Sequence, residues 1–490
     1  MQPPFTLGVD IGTSSVKAIV FDARGKKSGA AGSVAYPLRA GAAGAAELDA
    51  AEVLSAIVTV CREVVAQHTA SGLEPIAAVG LSAFWHGLMA LGPHGEPLTP
   101  IYTWADTRSH PQAQELKARL DEAAVHQRTG CMLHPIYLPA KMLWLSKRQP
   151  DAFQKAARFG SIREYLLLHF FGEALTDFST PAGGGVLNLR ERHWDAEVLD
   201  AVGVSTNRLP RIVDPTHRLP PLKKAYSKQI GLDADVPWVV GTGDGACSTI
   251  GSGCMAPNRL CLMVGTSAAL RMVVPGQPPT IPDGLWCYMV DRDNYLLGGA
   301  LNNAGILRAW LRETLNLPPD DALEQALRER EPDAHGLTFL PFITGERSPG
   351  WRSDAMGILE GLVFGTTPVD ICQAGLEAVG YRLLEIFERI QAVDPAPKQI
   401  VVNGGILGSK AWVQMLADIF GHDLEIVAEK EASTLGAATV AMKAIGVIDD
   451  LDAAAIWHSS RDICRASPER HQVYRKAFER HRASYKKHFT

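Results

Sequence analysis

Leu7-Gly8-Val9-Asp10-Ile11-Gly12-Thr13-Ser14-Ser15-Val16-Lys17 sets two apolar runs around one polar turn. Residues 6–9 are β-prone, residues 10–14 form a glycine-bearing turn, and residues 16–21 are apolar again, which predicts a hairpin. After the turn Ala23-Arg24-Gly25-Lys26, residues 33–38 can pair back, so an antiparallel meander opens the chain. Asp49 is then a predicted N-cap for a helix with Val53, Leu54, Ile57, Val60, Cys61 and Val64 on one face. Residues 76–81 follow as a short buried strand.

Similar material recurs after residue 237. A strand at 238–240 leads into Gly241-Thr242-Gly243-Asp244-Gly245, and runs at 260–264 and 270–274 flank Gly265-Thr266-Ser267. Beyond a short run at 295–297 come a helix at 369–390, a strand at 399–402 and Gly404-Gly405. A helix at 410–420, a strand at 424–427 and a helix at 434–445 close the pattern. Four prolines (210, 215, 220 and 221) mark a connecting segment. The expected architecture is two α/β domains of similar plan with a cleft between them, residues 1–236 and 237–490. The last ~30 residues, basic and helix-prone, are free to return to the first domain.

With 490 residues, 46% apolar and 21% charged, the composition is that of a globular protein, not a disordered or fibrous chain. The net charge, 48 − 53 = −5, speaks against sequence-independent nucleic-acid binding. Residues 76–92 are the best membrane decoy, but Gly80, Ser82, His86 and Gly87 interrupt them and they are short for a span. No basic segment precedes the first apolar run, and the eight cysteines show no C-x-x-C spacing. The expectation is a cytoplasmic protein with reduced thiols and neither nucleic-acid nor membrane partners.

Turns 10–15 and 265–267 carry glycine and small hydroxyls, which can surround phosphate oxygens with backbone N–H groups. Each alone also reads as a plain hairpin turn, but their matching places in two similar halves favour phosphate. Lys17 can add charge beside the first turn. In Gly243-Asp244-Gly245 a carboxylate sits between two glycines after a strand, suited to accept a proton from a hydroxyl nucleophile; an ordinary Asp-Gly turn is the alternative. Asp10 can hold a metal ion, directly or through water, or bond the N–H groups of its own turn. Trp104-Ala105-Asp106-Thr107-Arg108, with Trp85-His86, reads as a polyol pocket or as core tryptophans beside a surface ion pair. Ser14 to Lys17 fits S-x-x-K without its partner motifs, Pro257 spoils a G-x-G-x-x-A match at 251–256, and no P-loop is present.

On these residues the chain resembles the FGGY carbohydrate kinases. Residues 7–17 look like their first phosphate motif. Tyr137-Leu138-Pro139-Ala140-Lys141-Met142-Leu143-Trp144-Leu145 resembles one family signature. Gly357-Ile358-Leu359-Glu360-Gly361-Leu362 with Asp370, Ile371, Ala374 and Glu377 resembles the other, with Gly375 smaller than expected. The resemblance implies the two-domain sugar kinase/actin/heat-shock ATPase fold, related to ribonuclease H. It implies an ATP–sugar cleft, magnesium near Asp10 (through water), Asp244 as catalytic base, and homodimers as a common state. Gly12, Thr13, Ser14, Gly265 and Thr266 would hold phosphates, and Gly305, Gly404, Gly405 and Ser409 would line the nucleotide. Residues 103–109, 129–130, 134–135, 298–303 and 345–349 look like the gluconokinase branch, implying phosphorylation of D-gluconate to 6-phosphogluconate. Trp85 and Gly87 depart from that branch's usual Met and Ser, and Pro135-Ile136-Tyr137 from its frequent Pro-Met-Ser. D-Xylulose or another pentulose or polyol is thus the alternative acceptor; a non-catalytic sugar-binding relative and an ATPase without a sugar are the others. Trp85, His86, Asp106 and Arg108 are the expected sugar contacts, and Arg108, Lys141 and His86 the candidate partners for a substrate carboxylate.

Overall fold

The computed structural model describes residues 1–41, 44–396, 398–457 and 462–489. The opening meander is β1 (Phe5–Ile11), β2 (Ser15–Phe21) and β3 (Lys27–Ala35). Helix α1 (Ala50–Ala70) follows, with the Asp49 carboxylate accepting from the N–H groups of Ala51 and Glu52. β4 (Ile76–Ala83) then adds parallel to β1, with Leu7 opposite Val79. β5 (Thr242–Gly243) pairs with β4, giving the order β5-β4-β1-β2-β3. Residues 238–240, read as a strand, contribute isolated bridges from Trp238 to Val79 and from Val239 to Arg218; the ladder lies two residues further on.

The second sheet repeats this plan. β6 (Arg259–Val264) and β7 (Ala268–Pro275) form a hairpin, and β8 (Trp286–Met289) and β9 (Asn294–Leu301) continue it antiparallel, β9 beside β7. On the other side of β6 lie β10 (Gln399–Asn403) and β11 (Leu424–Ile426), both parallel, then β12 (Asp462–Cys464). β6, β7, β9, β10 and β11 thus stand to each other as β1, β2, β3, β4 and β5 do, so hairpins 12–14 and 265–267 are topological equivalents.

Two helices tie the halves together. α2 (Asp244–Gly251) starts at the end of β5, and α3 (Ala432–Ala444), from late in the chain, lies on α2, β1 and β4. Small residues allow this: a Cβ on Gly8 would stand 2.1 Å from the Thr434 carbonyl oxygen and one on Gly80 1.8 Å from that of Ala437. Gly80→Ala is therefore expected to lower stability by about 1–3 kcal/mol, measured by denaturant unfolding. The final helix, Pro468–Phe489, packs on helices 368–393 and 410–420 and on strand 338–340 of the second half, where the sequence left a return to the first domain open. Its arginines decide this: Arg470 pairs with Asp418 and Arg480 with Asp333. Among the described residues no helix is long and apolar enough to cross a membrane.

Candidate active site

The first hairpin is held open by its backbone. The Gly12 N–H donates to Ser15 O (3.0 Å), and the Tyr36 hydroxyl donates to Gly12 O (2.5 Å). Thr13 is left half-buried and Ser14 exposed at the tip. In the second hairpin the Gly265 N–H donates to Ser267 O (2.8 Å). Gly265 O accepts from the Gly305 N–H (2.9 Å) and Thr266 O from the Ile306 N–H (3.0 Å), which locks the hairpin to the helix Gly305–Thr314. A Cβ on Gly305 would sit 2.3 Å from Gly265 O, so that approach needs glycine.

A cavity of about 510 Å³ opens beside this second hairpin. Gly265, Thr266, Gly305 and Gly405 line it, together with Arg308, Leu317, Cys372, Ile406 and Trp412. Gly404, at φ +95°, turns the chain beneath Gly405, where a Cβ would meet Val264 O at 2.6 Å. Ser409 lies outside this lining: its hydroxyl caps the helix Lys410–Phe420 and donates to Glu324 (2.7 Å). Arg308 was missed in the sequence, although Arg308 and Arg312 follow Gly305 at helical spacing.

Two carboxylates meet where β1 and β5 end. Asp10 accepts from the Ser82 hydroxyl (2.6 Å), and burial, aided by the Asp244 charge, pushes its pKa up to about 6. Asp244 opens α2 and accepts from its neighbour's N–H, Gly245 (2.8 Å), and from the backbone of Trp85. Burial raises its pKa as well, against the lowering charges of Arg271 and Arg163. Lys17 lies directly across from Asp10 in the β1–β2 ladder, but its ammonium is engaged by Glu431 at 2.8 Å. These oxygen donors, in a desolvated acidic corner, suit a hard divalent cation.

The indole of Trp85 roofs this corner. A Cβ on Gly243 would lie 1.7 Å from its Nε1 and one on Gly245 2.2 Å from its ring, so both glycines are needed for this packing. Its N–H donates to Ser179 (3.0 Å), and its ring meets those of His86, Trp286 and Tyr288, bringing both halves together. His86 has a left-handed backbone (φ 67°), and its Nδ1 donates to Gly183 O (2.7 Å). Burial and the nearby Arg347 and Lys141 charges push its pKa far down, so the ring is neutral with Nε2 as acceptor.

The other expected sugar contacts have different surroundings. Asp106 and Arg108 bond each other (Nε to Oδ2, 3.0 Å), Arg108 also pairs with Glu47 (2.5 Å), and its guanidinium stacks on Trp144. Trp104 is 41% exposed, whereas Trp85 is buried. Lys141 is buried with its ammonium between the carbonyls of His86 and Thr103, both at 2.6 Å; burial pulls its pKa down to about 7. It therefore ties loop 84–87 to loop 103–108.

Residues 5–251 match the N-terminal domain of the FGGY family of carbohydrate kinases, and residues 260–445 match its C-terminal domain. The chain is 30% identical over 465 residues to a gluconokinase of Bacillus subtilis, covering 92% of this chain and 89% of that protein. It superposes on the crystal structure of gluconate kinase from Lactobacillus acidophilus with TM-score 0.91 and 31% identity, covering 98% of this chain and 97% of that one. A ligand-bound xylulose kinase from the same organism gives TM-score 0.92 and 31% identity, with 98% of each chain covered.

Proposed function

Because the chain belongs to the FGGY family of carbohydrate kinases, we propose that it transfers the γ-phosphoryl group of ATP to the terminal hydroxyl of a sugar or sugar acid, D-gluconate to 6-phosphogluconate. The observation that carries this reading is the pairing of half-buried Asp244, under the Trp85 roof, with the glycine-lined cavity beside the equivalent hairpin of the other half.

Asp244 accepts the proton of the attacking hydroxyl, and the N–H groups of Gly245 and Trp85 fix its carboxylate. The neutral His86 offers Nε2 to a sugar hydroxyl, and Trp85 presents an apolar face to C–H groups. Backbone N–H groups and hydroxyls of Thr13, Ser14 and Thr266 surround the phosphates, and Gly305, Gly405 and Ile406 form the nucleotide wall. Asp10 is the residue to hold Mg²⁺, directly or through water. When bound, the ion neutralises charge on the phosphate oxygens. Asp106, Arg108 and Lys141 shape the sugar wall from behind.

ADP release from MgATP across D-gluconate, D-xylulose, L-ribulose, glycerol, xylitol and no sugar tests this. A signal with gluconate supports the assignment; a signal with a pentulose alone keeps the kinase and replaces the acceptor. The xylulose reading rests on one observation, a superposition on a xylulose kinase as close as that on a gluconate kinase. The nucleotide wall is tested separately. Gly405 faces open space, its nearest neighbour 3.9 Å from an added Cβ, so Gly405→Leu projects into the cavity. KM for MgATP is expected to rise about tenfold, equivalent to ~1.4 kcal/mol, with the acceptor KM little changed.

A further inference from the structure

The three cations that the sequence offered to a substrate carboxylate are all engaged or neutral. Arg108 is taken by Asp106 and Glu47, Lys141 by two carbonyls, and His86 is uncharged. Another guanidinium has unmet N–H donors among the described residues, though its charge acts on Asp244. Arg271, on β7, is 6% exposed, and its Nε and Nη1 are buried without hydrogen-bond partners among the described residues. Its Nη2 stands 3.2 Å from where a Cβ of Gly245 would lie, beside the Trp85 ring and next to the turn that carries Asp244. It is not part of the lining of the nucleotide cavity. A second guanidinium, Arg347, also has a buried Nε without a hydrogen-bond partner among the described residues, and both charges act on Tyr288 in the ring cluster. Buried N–H donors left without acceptors are costly, and a carboxylate binding a guanidinium fork removes that cost.

We propose that Arg271, supported by Arg347, binds a carboxylate on the acceptor, so that the substrate class is a polyhydroxy acid and neutral polyols are discriminated against. The inference rests on the kinase reading above and adds the residue that reads the acid. It assigns Arg271 to the sugar, not to the transferred phosphate.

The test compares D-gluconate with D-glucitol, the same six-carbon chain bearing CH₂OH in place of the carboxylate, in wild type, Arg271→Met and Arg271→Lys. Loss of the Arg271 charge also disturbs Asp244, but that affects both acceptors alike; only the ratio of their kcat/KM values reads the carboxylate contact. Wild type is expected to favour gluconate, and Arg271→Met to reduce the preference by about ten- to hundredfold. Arg271→Lys keeps the charge without the fork and should retain part of the preference. An unchanged ratio in Arg271→Met, a wild type that prefers D-glucitol or D-xylulose, or a rise in KM for MgATP matching that for gluconate overturns the proposal. If wild type shows no acceptor-dependent ADP release, the kinase reading fails on its own. Calorimetric titration with gluconate without nucleotide then decides: binding lost in Arg271→Met and kept in Arg271→Lys sustains the anion site, and no binding to wild type overturns it. Circular dichroism of both variants confirms folding.

Discussion

Asp244→Asn is expected to lower sugar-dependent ADP release by about 10²–10⁴-fold while nucleotide still binds. The amide keeps an oxygen for the Gly245 N–H, so the turn at the start of α2 keeps its shape, but it cannot take the hydroxyl proton. Turnover measured with MgATP and the best acceptor, beside fluorescence titration with nucleotide, separates the two effects. Near wild-type turnover would reject Asp244 as the base. The pH dependence follows from the same burial. The carboxyl of Asp244 is raised above its ordinary range, and only its ionised form accepts a proton. Wild-type kcat/KM should therefore fall on the acid side at a pH above the ~4 of a free aspartate. An acid limb at or below pH 4 would contradict this.

Asp10→Asn should abolish most activity and stabilise the apoprotein. On the proposed reading, loss of the carboxylate removes the oxygen donor for Mg²⁺, and several kcal/mol of charge stabilisation corresponds to two or more decades in rate. The stability effect has the opposite sign. The folded-state pKa of about 6 lies above the ~3.9 of an unfolded aspartate, so the native state binds the proton more tightly. Well below pH 4 both states are protonated and Asp10 contributes little. As pH rises through 6 the native state carries a desolvated, repelled charge that costs about 3 kcal/mol. Asparagine can still accept from Ser82 and avoids this cost. Urea unfolding in EDTA should therefore show the variant more stable than wild type at pH 7.5 and the gap closing toward pH 4.5. Equal or lower stability at pH 7.5 would refute the electrostatic account.

The meander, α1 with its Asp49 cap and the second sheet's glycine turns were legible because local pattern fixes them: alternation, capping and turn chemistry act over a few residues. The repeated plan was legible for the same reason. What sequence could not give were partnerships across long separations. Lys17 looked like a phosphate ligand until Glu431, 414 residues away, reached it. Asp106 and Arg108 resembled sugar contacts, yet they bond each other and Glu47. Arg271 was invisible in an apolar strand, since nothing local says that its guanidinium ends beside Gly245. The family itself was readable from its motifs; the acceptor was not, because the proposed sugar side is built from side chains of both halves meeting at Trp85.

Helix α3 has a bearing on how the chain is made. It covers the face of the first sheet that carries Gly8 and Gly80, yet it begins at residue 432 of 490. A ribosome that has released the first 251 residues has delivered every strand of that sheet, but one of its faces is still bare. The amino-terminal half must then wait, partly uncovered, through the synthesis of about 180 more residues, some 10–40 s at ordinary elongation rates. Contacts of such sequence separation make folding slow and late, and an exposed apolar sheet face is prone to association meanwhile. Severing the chain between the two family domains would therefore not yield two independent proteins, and a fragment ending at residue 251 should aggregate unless the carboxy-terminal part is supplied with it.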